Sequence, residues 1–150
     1  MVNDPLDPEL PALMARIERY RTQYNFQGDI DRAEVEDLYQ RDADFTAFDI
    51  APPLGGYVGW EAYSQGWYKV MSKYRQINFT FHDDLRIFRR GEVAWMSVSA
   101  DWFGLTVGGE QFHKEMRLTL VWVRGDGHWR ITHEHGSSPR TTALAGGEII

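Results

Sequence analysis

Two histidines bracket a glutamate near the end of RGDGHWRITHEHGSSP, residues 124–139. On a β-strand, His133 and His135 point to one face, roughly 6.6 Å apart along the chain. Imidazoles at that spacing can hold a metal, relay a proton, or pack on the sheet. A metal would need a third ligand, and His82, His113 and Glu115 are available elsewhere. No His-Glu-x-x-His helix or other tight ligand motif accompanies them, so no metal is expected. Glu134 points the other way. Whether it or the two histidines face a pocket depends on the strand register, and either can serve as the acid–base group.

Three further groups have pointed chemistry. Asp49 stands just before APPLGG; it suits either a general base in a cavity or a loop cap. Arg117 interrupts the apolar run MRLTLVWV. A cation on a central strand needs a partner. That partner is an internal carboxylate (Glu134, Glu115 or Asp101) or an anionic group on a ligand. Thr119, two residues on, shares its face. Aromatics such as Tyr39, Tyr63 and Trp67 line a cavity mouth or fill the core. Trp95, Ser97, Ser99 and Asp101 share one strand face, which lines a cavity or is simply the wetter side.

The register of the last hairpin decides which of these groups meet. A three-residue Gly125-Asp126-Gly127 loop pairs Thr119 with His133 and Arg117 with His135. A two-residue Asp126-Gly127 turn pairs Thr119 with Glu134 and Arg117 with Gly136. A slip of one residue sends every side chain to the opposite face.

The elements that must position these residues follow from periodicity. Asp4 or Asp7 caps a first helix, with Leu10, Leu13, Met14, Ile17, Tyr20 and Tyr24 on one face and an end near Gly28. Asp31 caps a short second helix. Residues 42–50 alternate as a strand, Pro52 to Gly56 form a loop, and a third helix runs over about 60–74. From 77 the period becomes two. Strands are expected at 77–88, 93–107, 112–123 and 128–135, with glycine-bearing turns between them. Helices first and a meander after is an α+β layout.

Composition narrows the function classes. The chain has 150 residues, enough for one domain with a real core. With 22 acidic and 16 basic residues it carries a net charge of −6 and no basic patch, so no nucleic-acid partner is expected. It has no cysteine, which excludes disulfides, thiolate metal sites and a cysteine nucleophile. No signal peptide or membrane span is expected, and the default location is cytoplasmic. Nucleophile elbows, phosphate loops and dinucleotide fingerprints are missing.

Three stretches together resemble the SnoaL-like branch of the nuclear transport factor 2-like superfamily. GDIDRAEVEDLYQRDADF (28–45) is similar to its Gly-Asp, short helix, Leu-Tyr, acidic turn and first strand. GEVAW (91–95) is similar to its strand start. RLTLVWVRGDGHWRITHEHGSSP (117–139) is similar to its last hairpin and His-x-His ending, and also resembles the association domain of calcium/calmodulin-dependent kinases. The resemblance covers about residues 10–139, with 140–150 as a tail. It implies one α+β domain with a cone-shaped, cystatin-like fold: a curved antiparallel sheet wrapped around three N-terminal helices.

The resemblance also implies a homodimer through the sheet and an enzyme without cofactor. Expected chemistry is isomerisation, cyclisation or dehydration of a small apolar molecule bearing a carbonyl or hydroxyl. The rival is a non-catalytic ligand-binding or self-association module, since the fold alone does not choose. Ketosteroid isomerase relatives use an aspartate near the end of the first strand as general base. Asp49 lies closest to that position, slightly displaced. Their oxyanion-holding strand acid corresponds to Thr119, a weaker donor. The expected acid–base groups are Asp49, His133 and Glu134. The expected ligand-binding groups are Tyr39, Tyr63, Trp67, Trp95, Arg117, Thr119 and His135. An enzyme needs an open cavity holding a carboxylate or histidine without a salt-bridge partner; a structural module needs a filled or fully paired interior.

Overall fold

The structure, a computed structural model, describes Val2 and residues 4–139. The expected tail lies outside the described residues.

Helix α1 (Leu10–Gln23) starts after Glu9 rather than after an aspartate cap. Asp7 instead accepts the backbone N–H of Glu9 and pairs with Arg89 on a distant strand. Leu13, Ile17 and Tyr20 form its buried stripe at spacings of four and three. Strand β1 (Phe26–Gln27) follows, then α2 (Arg32–Glu36), whose cap Asp31 accepts from Glu34 as expected. Strands β2 (Thr46–Phe48) and β3 (Tyr57–Val58) flank the proline-rich loop. Helix α3 (Trp60–Met71) buries Tyr63, Trp67 and Met71, one per turn. It stops short of 74 because Tyr74 pairs with Thr106 and opens the next strand.

The expected strand 77–88 is two strands, β4 (Tyr74–Phe81) and β5 (Arg86–Arg90). Between them Asp84 takes the backbone N–H and hydroxyl of Ser99. Both strands then pair with one long neighbour, β6 (Val93–Thr106). Strands β7 (Gln111–Gly125) and β8 (His128–Ser137) complete a curved, unclosed sheet of eight strands. The order is β1-β4-β6-β7-β8-β2-β3, with β5 also on β6.

The α+β expectation stands, with one change to the sheet. It has eight strands where periodicity marks five, and it is not wholly antiparallel, because β2 runs parallel to β8. The backbones of β4 and β6 come close at Gly104, where a Cβ would sit 2.0 Å from the carbonyl oxygen of Gln76. Only glycine lets β4 and β6 approach there.

One face of the sheet is the buried one. Ala94, Met96, Val98, Ala100 and Trp102 on β6, with Leu118, Leu120 and Trp122 on β7, are all buried. They pack against the helical stripe in one core. Each large aliphatic side chain among them stabilises the fold by roughly 1.5–3 kcal/mol. No helix among the described residues is long and apolar enough to cross a membrane.

Candidate active site

The last hairpin turns on Asp126 and Gly127, both at positive φ (52° and 77°), so Gly125 pairs with His128. That is the two-residue turn. The register does not hold to the end of the strand, however. It shifts between Trp122 and Val121, where Thr132 is left as an extra residue. Beyond this bulge Thr119 faces His135, Arg117 faces Ser137 and Leu120 faces Glu134. Neither register expected from the turn alone is the one observed.

The bulge has a chemical result. Leu118 and Leu120 are core residues, so Glu134 also points inward. Tyr39 donates to its Oε2 at 2.8 Å and Tyr63 to its Oε1 at 3.0 Å. Both rings are buried, and Tyr39 lies 3.5 Å, oxygen to oxygen, from Tyr24. Trp67 Nε1 donates to the same Tyr24 oxygen at 3.1 Å. The Tyr39 proton is already committed to Glu134, so the Tyr24 proton is left for Tyr39 or for a ligand.

Glu134 and Tyr24 line a cavity of about 230 Å³, together with Tyr20, Trp67, Phe79 and Trp102. Asp49, Tyr74 and Lys114 are also in its wall. Among the described residues neither Asp49 nor Glu134 forms a salt bridge. Burial raises the Glu134 carboxyl to about 7; the Tyr39 bond pulls it down, the Asp49 charge pushes it up, and the Tyr63 bond pulls it down again. Burial also raises Asp49, against smaller lowering effects from the backbone N–H groups of Ala51 and Ile50 and from Lys114. Burial keeps the hydroxyls of Tyr20, Tyr24, Tyr39 and Tyr63 protonated, with every one of them raised. The arrangement can therefore hold and release one proton near neutral pH inside an aromatic pocket.

Of the ten residues singled out from sequence, five gather here: Asp49, Glu134, Tyr39, Tyr63 and Trp67. The other five lie on the opposite face of the sheet. Arg117, Thr119, Trp95 and His135 are exposed there, and His133 is half-buried with its Nδ1 2.8 Å from the Thr46 hydroxyl. Arg117 and Thr119 therefore do not polarise a ligand in this cavity. Arg117 needs no internal partner, because alternation on β7 carries it to solvent. Trp95, Ser97, Ser99 and Asp101 belong to the same outer face, each paired with an outer residue of β7.

On that outer face Asp101 accepts from both His82 and His113, at 2.8 and 2.7 Å. The three further residues weighed as ligands for a metal are on this face: His82 and His113 bond Asp101, and Glu115 sits opposite Asp101 on β7. No cluster that could hold a metal occurs among the described residues.

Sequence analysis did not assign Tyr20, Tyr24, Lys114 or Trp102 to the site. The available signal was the pair of tyrosines on the apolar stripe of α1. Their rings pack in the core while their hydroxyls need a polar neighbour.

The sequence profile of the SnoaL-like domain matches residues 20–141. No curated protein matches the chain. Among solved structures, a nuclear transport factor 2-like superfamily protein from Salmonella enterica serovar Typhimurium LT2 is similar at 19% identity. The alignment covers 91% of this chain and 94% of that one, with a TM-score of 0.75. An NTF2-like protein of unknown function from Pseudomonas putida KT2440 is 24% identical, with 92% and 90% covered and a TM-score of 0.72. A hexachlorocyclohexane dehydrochlorinase of type 2 is 17% identical, with 92% and 90% covered and a TM-score of 0.70. At these identities the likeness concerns the fold.

Proposed function

Since the chain belongs to the SnoaL-like domain family, we propose that it is a cofactor-independent enzyme that moves a proton on a small apolar carbonyl or hydroxyl compound. The observation that carries this reading is Glu134: a carboxyl raised to about 7, without a salt bridge, in the wall of an aromatic cavity. Such a group is present both as base and as acid near neutral pH.

The reaction class follows from the donors around it. The Glu134 carboxylate takes a proton from the carbon beside a carbonyl. The Tyr24 hydroxyl donates a hydrogen bond to the oxygen as it gains enolate charge. Glu134 then returns the proton to another carbon, which is an isomerisation. If the proton held by Glu134 goes instead to a β-hydroxyl, the C–O bond breaks as the enolate forms the C=C bond, water leaves, and the result is a dehydration. The dehydrochlorinase among the similar structures performs an elimination by its printed name, which accords with this class.

The test is deuterium uptake. Small cyclic ketones are incubated with the protein in D₂O and followed by NMR. Exchange at the α-carbon that is lost in Glu134→Gln, in a protein that still folds, supports the reading. Equal exchange by both proteins, or none by the wild type across a ketone panel, removes it.

A second reading draws on the outer face. Trp95 and Phe88 stack at 5.5 Å and 17°, and Val93, Phe103 and Phe48 are also exposed. A face of this kind suits self-association. A homodimer through the sheet is part of the proposal and is compatible with either function.

A further inference from the structure

The mouth of the cavity differs from its depth. Glu134, deep inside, has a tyrosine donor on each oxygen. Asp49, on the loop after β2, is served only by backbone, with the Ala51 N–H at a long 3.4 Å. Its carboxyl is partly buried and raised by that burial. An under-satisfied carboxylate in a desolvated wall favours a cation beside it.

Two aromatic rings, Tyr74 and Trp102, share the cavity wall with Asp49. They pack on each other at 5.1 Å between centroids, with Phe112 behind them at 4.7 and 5.3 Å. Tyr74 is close enough to feel the Asp49 charge. Ring faces beside a carboxylate form the usual receptor for an organic cation. The chain already puts one there. Lys114, exposed on β7, lays its ammonium 5.6 Å from the Trp102 centroid, and its charge reaches Asp49 without an ion pair. An exposed lysine is held weakly, because its charge is solvated and its stem is flexible.

We propose that this mouth is a cation-recognition subsite: the ligand carries a protonated nitrogen that Asp49 and the rings of Trp102 and Tyr74 receive, displacing the Lys114 ammonium. The ligand class is a small aromatic or alicyclic amine. Its ring fills the cavity toward Glu134, and its nitrogen stays at the mouth. Size is consistent, since a cavity of roughly 150 Å³ admits benzene and this one has about 230 Å³. The inference rests on the cavity being the ligand site, and divides its acids: Asp49 anchors, Glu134 exchanges the proton.

Three probes of one shape test it: benzylamine, benzyl alcohol and benzoate, titrated at pH 7 and followed by the indole N–H signals of Trp67 and Trp102. Benzylamine is expected to bind about tenfold more tightly than benzyl alcohol, as befits one charge-assisted contact. That ratio falls toward one in Asp49→Asn and is kept or enlarged in Lys114→Met, which removes the competing ammonium. Melting curves establish that both variants are folded; Lys114 is exposed and serves if Asp49→Asn is not. Benzyl alcohol binding as tightly as benzylamine overturns the subsite and leaves the cavity reading intact. So does benzoate binding most tightly and losing its advantage in Lys114→Met, which makes the mouth an anion receptor. Binding of none of the three overturns the subsite and the cavity reading together.

Discussion

Tyr39 and Glu134 lie 95 residues apart in the chain, and the hydroxyl of one donates to the carboxylate of the other at 2.8 Å. The bond stabilises the ionised form of Glu134 against the burial that opposes it. Removing the donor in Tyr39→Phe should therefore raise the Glu134 pKa above its value of about 7. The expected rise is about one unit, since a hydrogen bond to a charged group is worth about 1.5–3 kcal/mol and Tyr63 keeps part of the field. A ¹³C-carboxyl NMR titration of both proteins measures it directly. A Glu134 midpoint that stays put or falls contradicts the bond's role.

The same carboxyl makes stability depend on pH, and the sign is fixed. Its pKa goes from 4.5 in an ordinary carboxyl to about 7 in the fold. Between those values the folded state holds more protons than the unfolded chain, so stability falls as pH rises through that window. Below it the contribution is complete; above it, gone. The slope approaches ~1.4 kcal/mol per pH unit at most, less where exposure screens the group. Asp49, also raised, acts in the same sense from a lower starting pH. Half-buried His133, lowered by desolvation and by the His135 charge, acts oppositely. Comparing wild type with Glu134→Gln by urea unfolding at pH 5 and pH 8 separates the glutamate from both. The variant should gain relative stability at pH 8, and equal pH slopes would refute the assignment.

Much of this was legible in the sequence, and the part that was not has one cause. The helical stripe, the Asp31 cap, the α+β order and the inward tyrosines Tyr39 and Tyr63 follow from period and residue type. The Asp126-Gly127 turn is a local signal and was one of two alternatives. Thr132 is where local reasoning ended. A bulge adds a residue to one strand only, and no residue type announces it. Counting from the turn then puts Arg117 and Thr119 opposite the wrong partners. The parallel β2–β8 pairing is equally non-local. It brings Ala47 beside Glu134 and Thr46 beside His133 from far along the chain. Lys114 and Trp102, paired across β6 and β7, looked like ordinary strand residues, because the cavity they border is made by the helices.

The outer placement of Arg117 and His133 has a direct consequence. Arg117→Ala and His133→Ala should leave cavity affinity within about twofold of wild type, as surface changes usually stay within ±0.5 kcal/mol. Benzyl alcohol titration measures this. Tenfold losses in either variant would mean that the outer face communicates with the cavity.

Gly104 offers a test of the sheet itself. A methyl group there would meet the Gln76 carbonyl oxygen at 2.0 Å, and that oxygen is backbone, so it cannot step aside. Gly104→Ala should cost about 1–3 kcal/mol, the usual range for forced overpacking. Chemical denaturation measures the loss. A variant as stable as wild type would mean that β4 and β6 are not so close at this point.

The outer face is the place to test assembly. Trp95 is 36% exposed and stacked on Phe88, and Val93, two residues before it on the same face of β6, is exposed as well. If two copies associate through this face, a carboxylate at its centre must either be buried unpaired or keep the copies apart. Trp95→Glu is therefore expected to be monomeric where the wild type is dimeric, with its melting temperature little changed because the indole is not core. Sedimentation equilibrium reads the mass of each. A wild type that is monomeric at every concentration removes the sheet-mediated dimer, and a Trp95→Glu dimer as tight as wild type moves the interface elsewhere. Glu134 and its tyrosines lie on the other side of the sheet, so deuterium exchange by the Trp95→Glu monomer should persist if each copy carries a complete site.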